Sequence, residues 1–314
     1  MLETTVRVRR SQVIDGEPSR VWSLLSSPEA WSLRPQDTFM FNVPNAERLR
    51  FYIGPTPQGT GPLVVDICEE LPGKVIKLRF AGGRQVFTLS VEPGRRGTTK
   101  ASVEFSDIVL RHRKIYHEEA RRTEAKAWLS ALRAVIEGRA PWPKAQMPPD
   151  LRQKCLARPQ MEHSLSVSRA VLISAAPSAV WNVVRSPETA QGSYPVDHSG
   201  YVPGTPRGEA GEVQYYIFRR SNGERASAFE AVTQTAHQRS ALVQTIGLGQ
   251  HIEGHLLVTP ESRSGPTRLD KTCRWHEPEP SARTAEAARS QVAEGINKMI
   301  SDYKSLLEDA ANQA

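Results

Sequence analysis

The sequence predicts an α+β protein built as two tandem copies of one small domain. Three observations lead there: a length about twice that of an ordinary domain, an internal repeat that aligns without gaps, and a change in each copy from a hydrophobic period of two to one of three and four. The chain has 314 residues, and domains most often run to roughly 100–150 residues. Hydrophobic residues make up 39% and charged residues 24%, near the globular average, so each half can bury a core of its own.

Residues 6–30 (VRVRRSQVIDGEPSRVWSLLSSPEA) align with residues 165–189 (LSVSRAVLISAAPSAVWNVVRSPET), and 10 of the 25 pairs are identical. Such self-similarity marks a duplicated structural unit. Val6, Val8 and Arg10, like Leu165, Val167 and Arg169, begin a period-two pattern, so each copy opens with a half-buried strand. Pro18 and Pro177 then fit the first turn of a short helix whose apolar face includes Trp22 or Trp181. Ser27-Pro28-Glu29 and Ser186-Pro187-Glu188 end that helix and start another, because the residue before proline disfavours helical geometry.

Strands follow. In the first copy the alternating runs are Leu63–Glu69, Lys74–Phe80, Gln85–Val91 and Thr99–Ile108, separated by the turn signals Pro72-Gly73, Gly82-Gly83 and Pro93-Gly94. In the second they are Val213–Arg219, Arg225–Thr235, Ser240–Ile246, His251–Thr259 and Arg268–His276. A long amphipathic helix closes each copy. Its stripe is Tyr116, Ala120, Thr123, Ala127, Trp128, Ala131, Leu132, Val135 and Ile136 in the first, and Val292, Ile296, Met299, Tyr303, Leu306 and Leu307 in the second. A proline-rich connector spans 141–161, which sets domains at 1–140 and 162–314.

Charge is uneven. Residues 1–157 carry 25 Lys and Arg against 17 Asp and Glu, a net +8, and residues 158–314 carry 16 against 17, a net −1. The densest piece, Arg111-His112-Arg113-Lys114 with Arg121-Arg122, reads as a solvated helix face, with an acidic partner protein as the alternative. No aromatic-interleaved basic strand accompanies it, which argues against nucleic acid. The three cysteines, Cys68, Cys155 and Cys273, fit neither a disulfide framework nor a zinc pairing. No apolar run is long enough to cross a membrane, and the N-terminus lacks a secretory pattern, so a cytoplasmic location is expected. Motifs for phosphate, metal or a nucleophilic serine are absent, and no cofactor is expected.

The openings Pro18-Ser19-Arg20-Val21-Trp22 through Ser27-Pro28-Glu29, and Pro177-Ser178-Ala179-Val180-Trp181 through Ser186-Pro187-Glu188, together with the element order, resemble the START/Bet v1-like (SRPBCC) superfamily. The resemblance spans both halves, and the chain looks similar to two-copy members of bacterial polyketide and enediyne biosynthesis. It implies the helix-grip fold, a curved antiparallel sheet wrapped round the last helix with a cavity between them for an apolar ligand. The function it implies is binding of a polyketide or linear polyene intermediate. An aromatase, cyclase or dehydratase is the alternative, followed by a protein-interaction or self-resistance module.

Candidate cavity residues follow from alternation and helix periodicity, with ordinary core packing as the alternative for the strand positions and Trp128. In the first copy they are Phe80, Phe87, Leu89, Phe105 and Trp128; in the second, Tyr216, Cys273, Trp275, Met299 and Tyr303. His251 and His255 share a strand face with Glu253, a pattern that suits a general base if that face lines the cavity and a solvated surface if Ile252 and Leu256 point inward. Tyr194, Asp197 and His198 fall in the segment after the second short helix, near the expected cavity mouth. The second copy carries more Tyr and His about its strands, which makes it the better candidate for chemistry.

Overall fold

The computed structural model describes residues 2–313 apart from 36, 57–58, 158–163, 191–195, 221, 248–249, 263–264 and 277–281. It divides into two compact units, Met1–Leu151 and Arg152–Ala314. In the first, β1 (Glu3–Asp15) is followed by α1 (Pro18–Leu25), a 3-10 helix at Pro28–Leu33, and the strands β2 (Phe39–Asn42), β3 (Leu49–Thr56), β4 (Gly59–Leu71), β5 (Val75–Phe80), β6 (Gln85–Pro93) and β7 (Thr98–Leu110). Helix α2 (Lys114–Ile136) ends the domain, and α3 (Pro149–Leu156) forms within the segment read as a connector. The second unit has β8 (Ser164–Ile173), α4 (Pro177–Arg185), β9 (Val196–Tyr201), β10 (Val213–Arg219), β11 (Arg225–Ala236), β12 (Ser240–Gly247), β13 (Gln250–Pro260), β14 (Thr267–His276) and α5 (Ala282–Gln313).

Both sheets are antiparallel, seven-stranded and identically ordered: β1-β7-β6-β5-β4-β3-β2 and β8-β14-β13-β12-β11-β10-β9. In each, the last strand returns beside the first, and the closing helix packs against the sheet face that carries the apolar cluster. This is the tandem helix-grip architecture. The edge strands β2 and β9 carry no clear alternation in sequence, and pairing to β3 and β10 creates them. Asp197, expected near a cavity mouth, lies on β9 and pairs with Arg219 of β10 at 2.9 Å. His198 lies on the same strand, and Tyr194 falls outside the described residues.

Equivalent contacts pin both copies. Thr99 Oγ1 donates to the Gly16 carbonyl at 2.6 Å, and Thr267 Oγ1 donates to the Ala175 carbonyl at 2.6 Å. Near the end of each closing helix a glutamate accepts from the backbone after the first strand: Glu137 from Asp15 N–H at 3.3 Å and Glu308 from Ser174 N–H at 3.0 Å. A bulge follows Ile67 in β4 and Val232 in β11. Bulges fix register, because a one-residue slip would turn every side chain to the other face.

Helix α2 differs from the predicted stripe in its first three turns. Its buried face is Arg121, Glu124, Ala125, Trp128, Leu129, Leu132, Val135 and Ile136. Tyr116 is 79% exposed, and Ala120, Thr123 and Ala127 also face solvent. Periodicity misjudged this end because the inward positions are charged and satisfied by one another. In α5 the stripe holds except at Leu306, which is exposed, while Ile300 is buried.

Candidate functional site

The pinned contacts fix which residue of one copy corresponds to which of the other, and so allow the two interiors to be compared position by position. Counting along β7 and β14 from the paired threonines, Val103 corresponds to Lys271 and Phe105 to Cys273. Across the ladder, Phe87 pairs with Phe105 as Gly254 pairs with Cys273. From the bulges, Val65 corresponds to Glu230, and their cross-strand partners Phe80 and Thr245 to each other. One strand further, Tyr52 matches Tyr216. Counting back along the closing helices from Glu137 and Glu308, Trp128 corresponds to Met299 and Leu132 to Tyr303. The gapless repeat, extended by one residue, sets Trp31 against Ala190.

In the first domain these positions make a filled interior. Trp31 lies 5.2 Å from Trp128, 5.1 Å from Phe87 and 5.5 Å from Phe80 between ring centroids. Phe87 in turn lies 4.8 Å from Phe105. Trp128 Nε1 donates to the Ala30 carbonyl at 2.9 Å, which satisfies its one polar atom. Phe80, Phe87, Leu89, Phe105 and Trp128 are all buried in this cluster. They face the helix as expected, and they pack against one another.

A chain of buried charges borders the aromatic cluster. Arg34 Nε donates to Glu124 Oε1 at 2.8 Å, with a second, shorter contact from its Nη2 to the same oxygen. Arg121 bridges Glu124 Oε2 and Asp107 Oδ2, both at 2.6 Å, and His117 Nε2 meets Asp107 Oδ2 at 2.7 Å. The guanidinium of Arg34 stacks 4.8 Å over Trp31, and that of Arg121 5.1 Å over Phe105. Burial works against ionisation of Glu124, but Arg34 and Arg121 outweigh it and hold the carboxyl below the usual carboxylate range. Arg121, read from sequence as part of a solvated helix face, is therefore spent inside the domain. An open cleft of about 740 Å3 reaches this network and the edge of the aromatic cluster, lined by Tyr52, Phe80, Phe87, Arg34, Arg121 and His117 among others.

The second domain departs at each of these positions. Where the first has Trp31, Phe80, Phe87, Phe105 and Trp128, the second has Ala190, Thr245, Gly254, Cys273 and Met299. Five large aromatic side chains are replaced by small or flexible ones. Tyr216, Thr245, Ile252, Lys271 and Met299 are only half-buried, whereas the first-domain interior positions are almost completely enclosed. The apolar Val65, Val103 and Leu132 give way to Glu230, Lys271 and Tyr303. The interior thus carries smaller and more polar side chains.

Each polar group there has an identifiable setting. Arg185, at the end of α4, donates to Glu230 Oε1 at 3.0 Å and Glu212 Oε1 at 2.5 Å. Tyr216 Oη donates to Gln214 Oε1 at 2.6 Å, and Gln214 Nε2 donates to Glu212 Oε1 at 2.7 Å. Burial, reinforced by Glu230, pushes the Tyr216 phenol well above its ordinary value. Burial likewise raises the Tyr303 phenol and the Cys273 thiol, with Lys271 opposing both. All three are neutral proton carriers near pH 7. Lys271 Nζ reaches Met299 Sδ of α5 at 3.4 Å. Burial lowers the lysine's tendency to charge, but Cys273, Tyr303 and Glu230 outweigh it and raise its pKa. Lys271 is therefore an interior ammonium.

Of the second-domain residues expected at the cavity, Tyr216, Cys273, Trp275, Met299 and Tyr303 do face the interior or its core. His251 and His255 do not. Ile252 and Leu256 pack into the core on the helix side, so the histidines project from the opposite face. His255 is exposed, and His251 contacts Gln244 Oε1 at 2.5 Å while Gln244 Nε2 donates to Glu253 at 3.2 Å. Burial lowers the His251 pKa, with Glu253 opposing. Sequence reasoning missed Lys271, although strict alternation from Leu269 through Cys273 to Trp275 passes through it.

No family model matches the sequence, and no curated protein matches it. Solved structures similar to this chain include the di-domain ARO/CYC StfQ from the steffimycin biosynthetic pathway, at 10% identity over 97% of this chain and 99% of that one, with a TM-score of 0.39. The di-domain ARO/CYC BexL matches at 14% identity over 96% and 98%, with a TM-score of 0.37. A START superfamily protein from Mycobacterium smegmatis matches at 14% identity over 46% of this chain and 98% of that one, with a TM-score of 0.38. By its own strand order and helix placement, the chain has a tandem helix-grip architecture.

Proposed function

We propose that the chain binds a hydrophobic small molecule, a polyketide-like or linear polyene biosynthetic intermediate, in the interior of its second domain. The first domain is its aromatic-packed companion. The observation that carries this reading is the loss of five aromatic side chains at equivalent inward positions, from Trp31, Phe80, Phe87, Phe105 and Trp128 to Ala190, Thr245, Gly254, Cys273 and Met299. A ligand that buries apolar surface gains roughly 25 cal/mol per Å2, and half-buried side chains such as Met299 and Ile252 offer that surface. The polyketide or polyene class comes from the resemblance of the two opening motifs.

The test is to purify the chain under mild conditions, denature it, and examine the organic extract by absorbance and mass spectrometry. The expected result is a stoichiometric conjugated compound, absent from a Cys273→Phe, Met299→Trp double variant that restores the first domain's bulk. An empty extract, together with no binding of added polyenes, overturns the reading.

A second reading, cyclase or dehydratase chemistry, is favoured by one observation: Tyr216, Tyr303 and Lys271 bring proton-bearing groups into one interior. Under that reading Tyr303→Phe keeps ligand binding and abolishes turnover; if a bound compound is released unchanged by the wild type, the chain is a carrier.

A further inference from the structure

Lys271 projects from the central part of β14 into the space beneath α5, between Leu269 and Cys273 on the same sheet face. The equivalent position in the first domain is Val103, completely buried among apolar neighbours. An ammonium here is costly unless paired. Among the described residues its hydrogen-bond partner is the thioether of Met299, a weak acceptor. Among the described residues no carboxylate lies within ion-pair distance of it, and the nearby Glu230 is engaged by Arg185 at 3.0 Å. Cys273 and Tyr303, the other groups facing it, are neutral near pH 7 because burial raises both. The second domain therefore holds an interior cation that lacks a direct counter-anion.

We propose that Lys271 anchors an anionic oxygen of the ligand, so that the second domain takes an apolar, conjugated molecule ending in a carboxylate or an equally acidic enol. This rests on the reading of the second-domain interior as a ligand site and adds the class of head group. Met299 and the flanking apolar positions hold the body, and the ammonium fixes which end enters first. The half-buried state of Lys271 fits a group that exchanges water for ligand oxygen.

The test uses two fluorescent polyenes with the same body, cis-parinaric acid and its methyl ester, titrated into the full chain. The acid is expected to bind more tightly than the ester. Lys271→Met is expected to weaken the acid by on the order of tenfold to a hundredfold, the range of a charge-assisted hydrogen bond, and to leave the ester unchanged. Lys271→Arg is expected to keep most of the preference. The ester reports whether the pocket of Lys271→Met is intact, so a folding defect cannot imitate the result. Equal binding of acid and ester, or an acid preference that survives Lys271→Met, overturns the anchor and leaves the ligand site standing. Acid binding that survives the Cys273→Phe, Met299→Trp variant places the acid elsewhere and also overturns it. If neither polyene binds, the site and the anchor fall together.

Discussion

The interiors of the two domains share one fold and one register, yet one is packed with aromatic rings and the other carries smaller and more polar side chains. The pinning contacts match residue for residue, from the Thr99 and Thr267 hydroxyls to the Glu137 and Glu308 carboxylates. What differs is side-chain bulk and polarity on the face beneath the closing helix. Duplication left the backbone plan alone and changed what lies beneath the closing helix: in one copy a cluster of aromatics, in the other Lys271, Tyr216 and Tyr303 among smaller side chains.

The sharpest way to break the contrast is to injure the filled interior. Trp31→Ala, which installs the residue found in the second copy, should destabilise the first domain by about 3–5 kcal/mol, the cost of a large core truncation. Glu124→Gln should cost a comparable ~3–5 kcal/mol, because it strands Arg34 and Arg121 without their shared counter-charge. Both are read by denaturant or thermal unfolding resolved by domain, since two domains need not melt as one unit. Neither should change polyene binding if the second domain is the site.

Reverse surgery should have a smaller thermodynamic effect and a larger functional one. Cys273→Phe with Met299→Trp is expected to shift second-domain stability by no more than about 1–3 kcal/mol, the usual range for added core bulk. Binding should be lost. A large destabilisation would mean that the space was already filled by the protein itself.

The domains should also differ with pH. Glu124 is held below its unfolded pKa, so its contribution is present above the ordinary carboxylate range and is lost as pH falls through the depressed folded value. Acid should therefore weaken the first domain selectively, as followed by domain-resolved hydrogen exchange. The smallest effect is expected at His255, which is exposed on the far face of the sheet: His255→Ala should stay within about 0.5 kcal/mol and leave binding unchanged.

The repeat, the meanders and the closing helices were legible in sequence because each carries a strong period. Phe80, Phe87, Phe105 and Trp128 were legible as inward residues. Sequence alternation could not tell that they would contact one another and close the space, since that depends on register between distant strands. Lys271 was hidden by its chemistry, because a lysine in a strand is ordinarily placed toward water. Arg121 and Glu124 were hidden the same way, each inward only because the other, with Arg34, pairs it. His251 and His255 attracted attention as a chemical pattern, whereas the apolar parity of Ile252 and Leu256 decided the face. Comparison of the copies would have flagged Lys271 sooner, by its alignment with Val103.

The most direct test of the filled and open interiors is the stoichiometry of an uncharged apolar ligand, counted by native mass spectrometry of the intact chain with methyl cis-parinarate. One molecule per chain is predicted, lost in the Cys273→Phe, Met299→Trp variant and retained in Trp31→Ala. Two molecules per chain, or one that persists when the second domain is filled, would contradict the account.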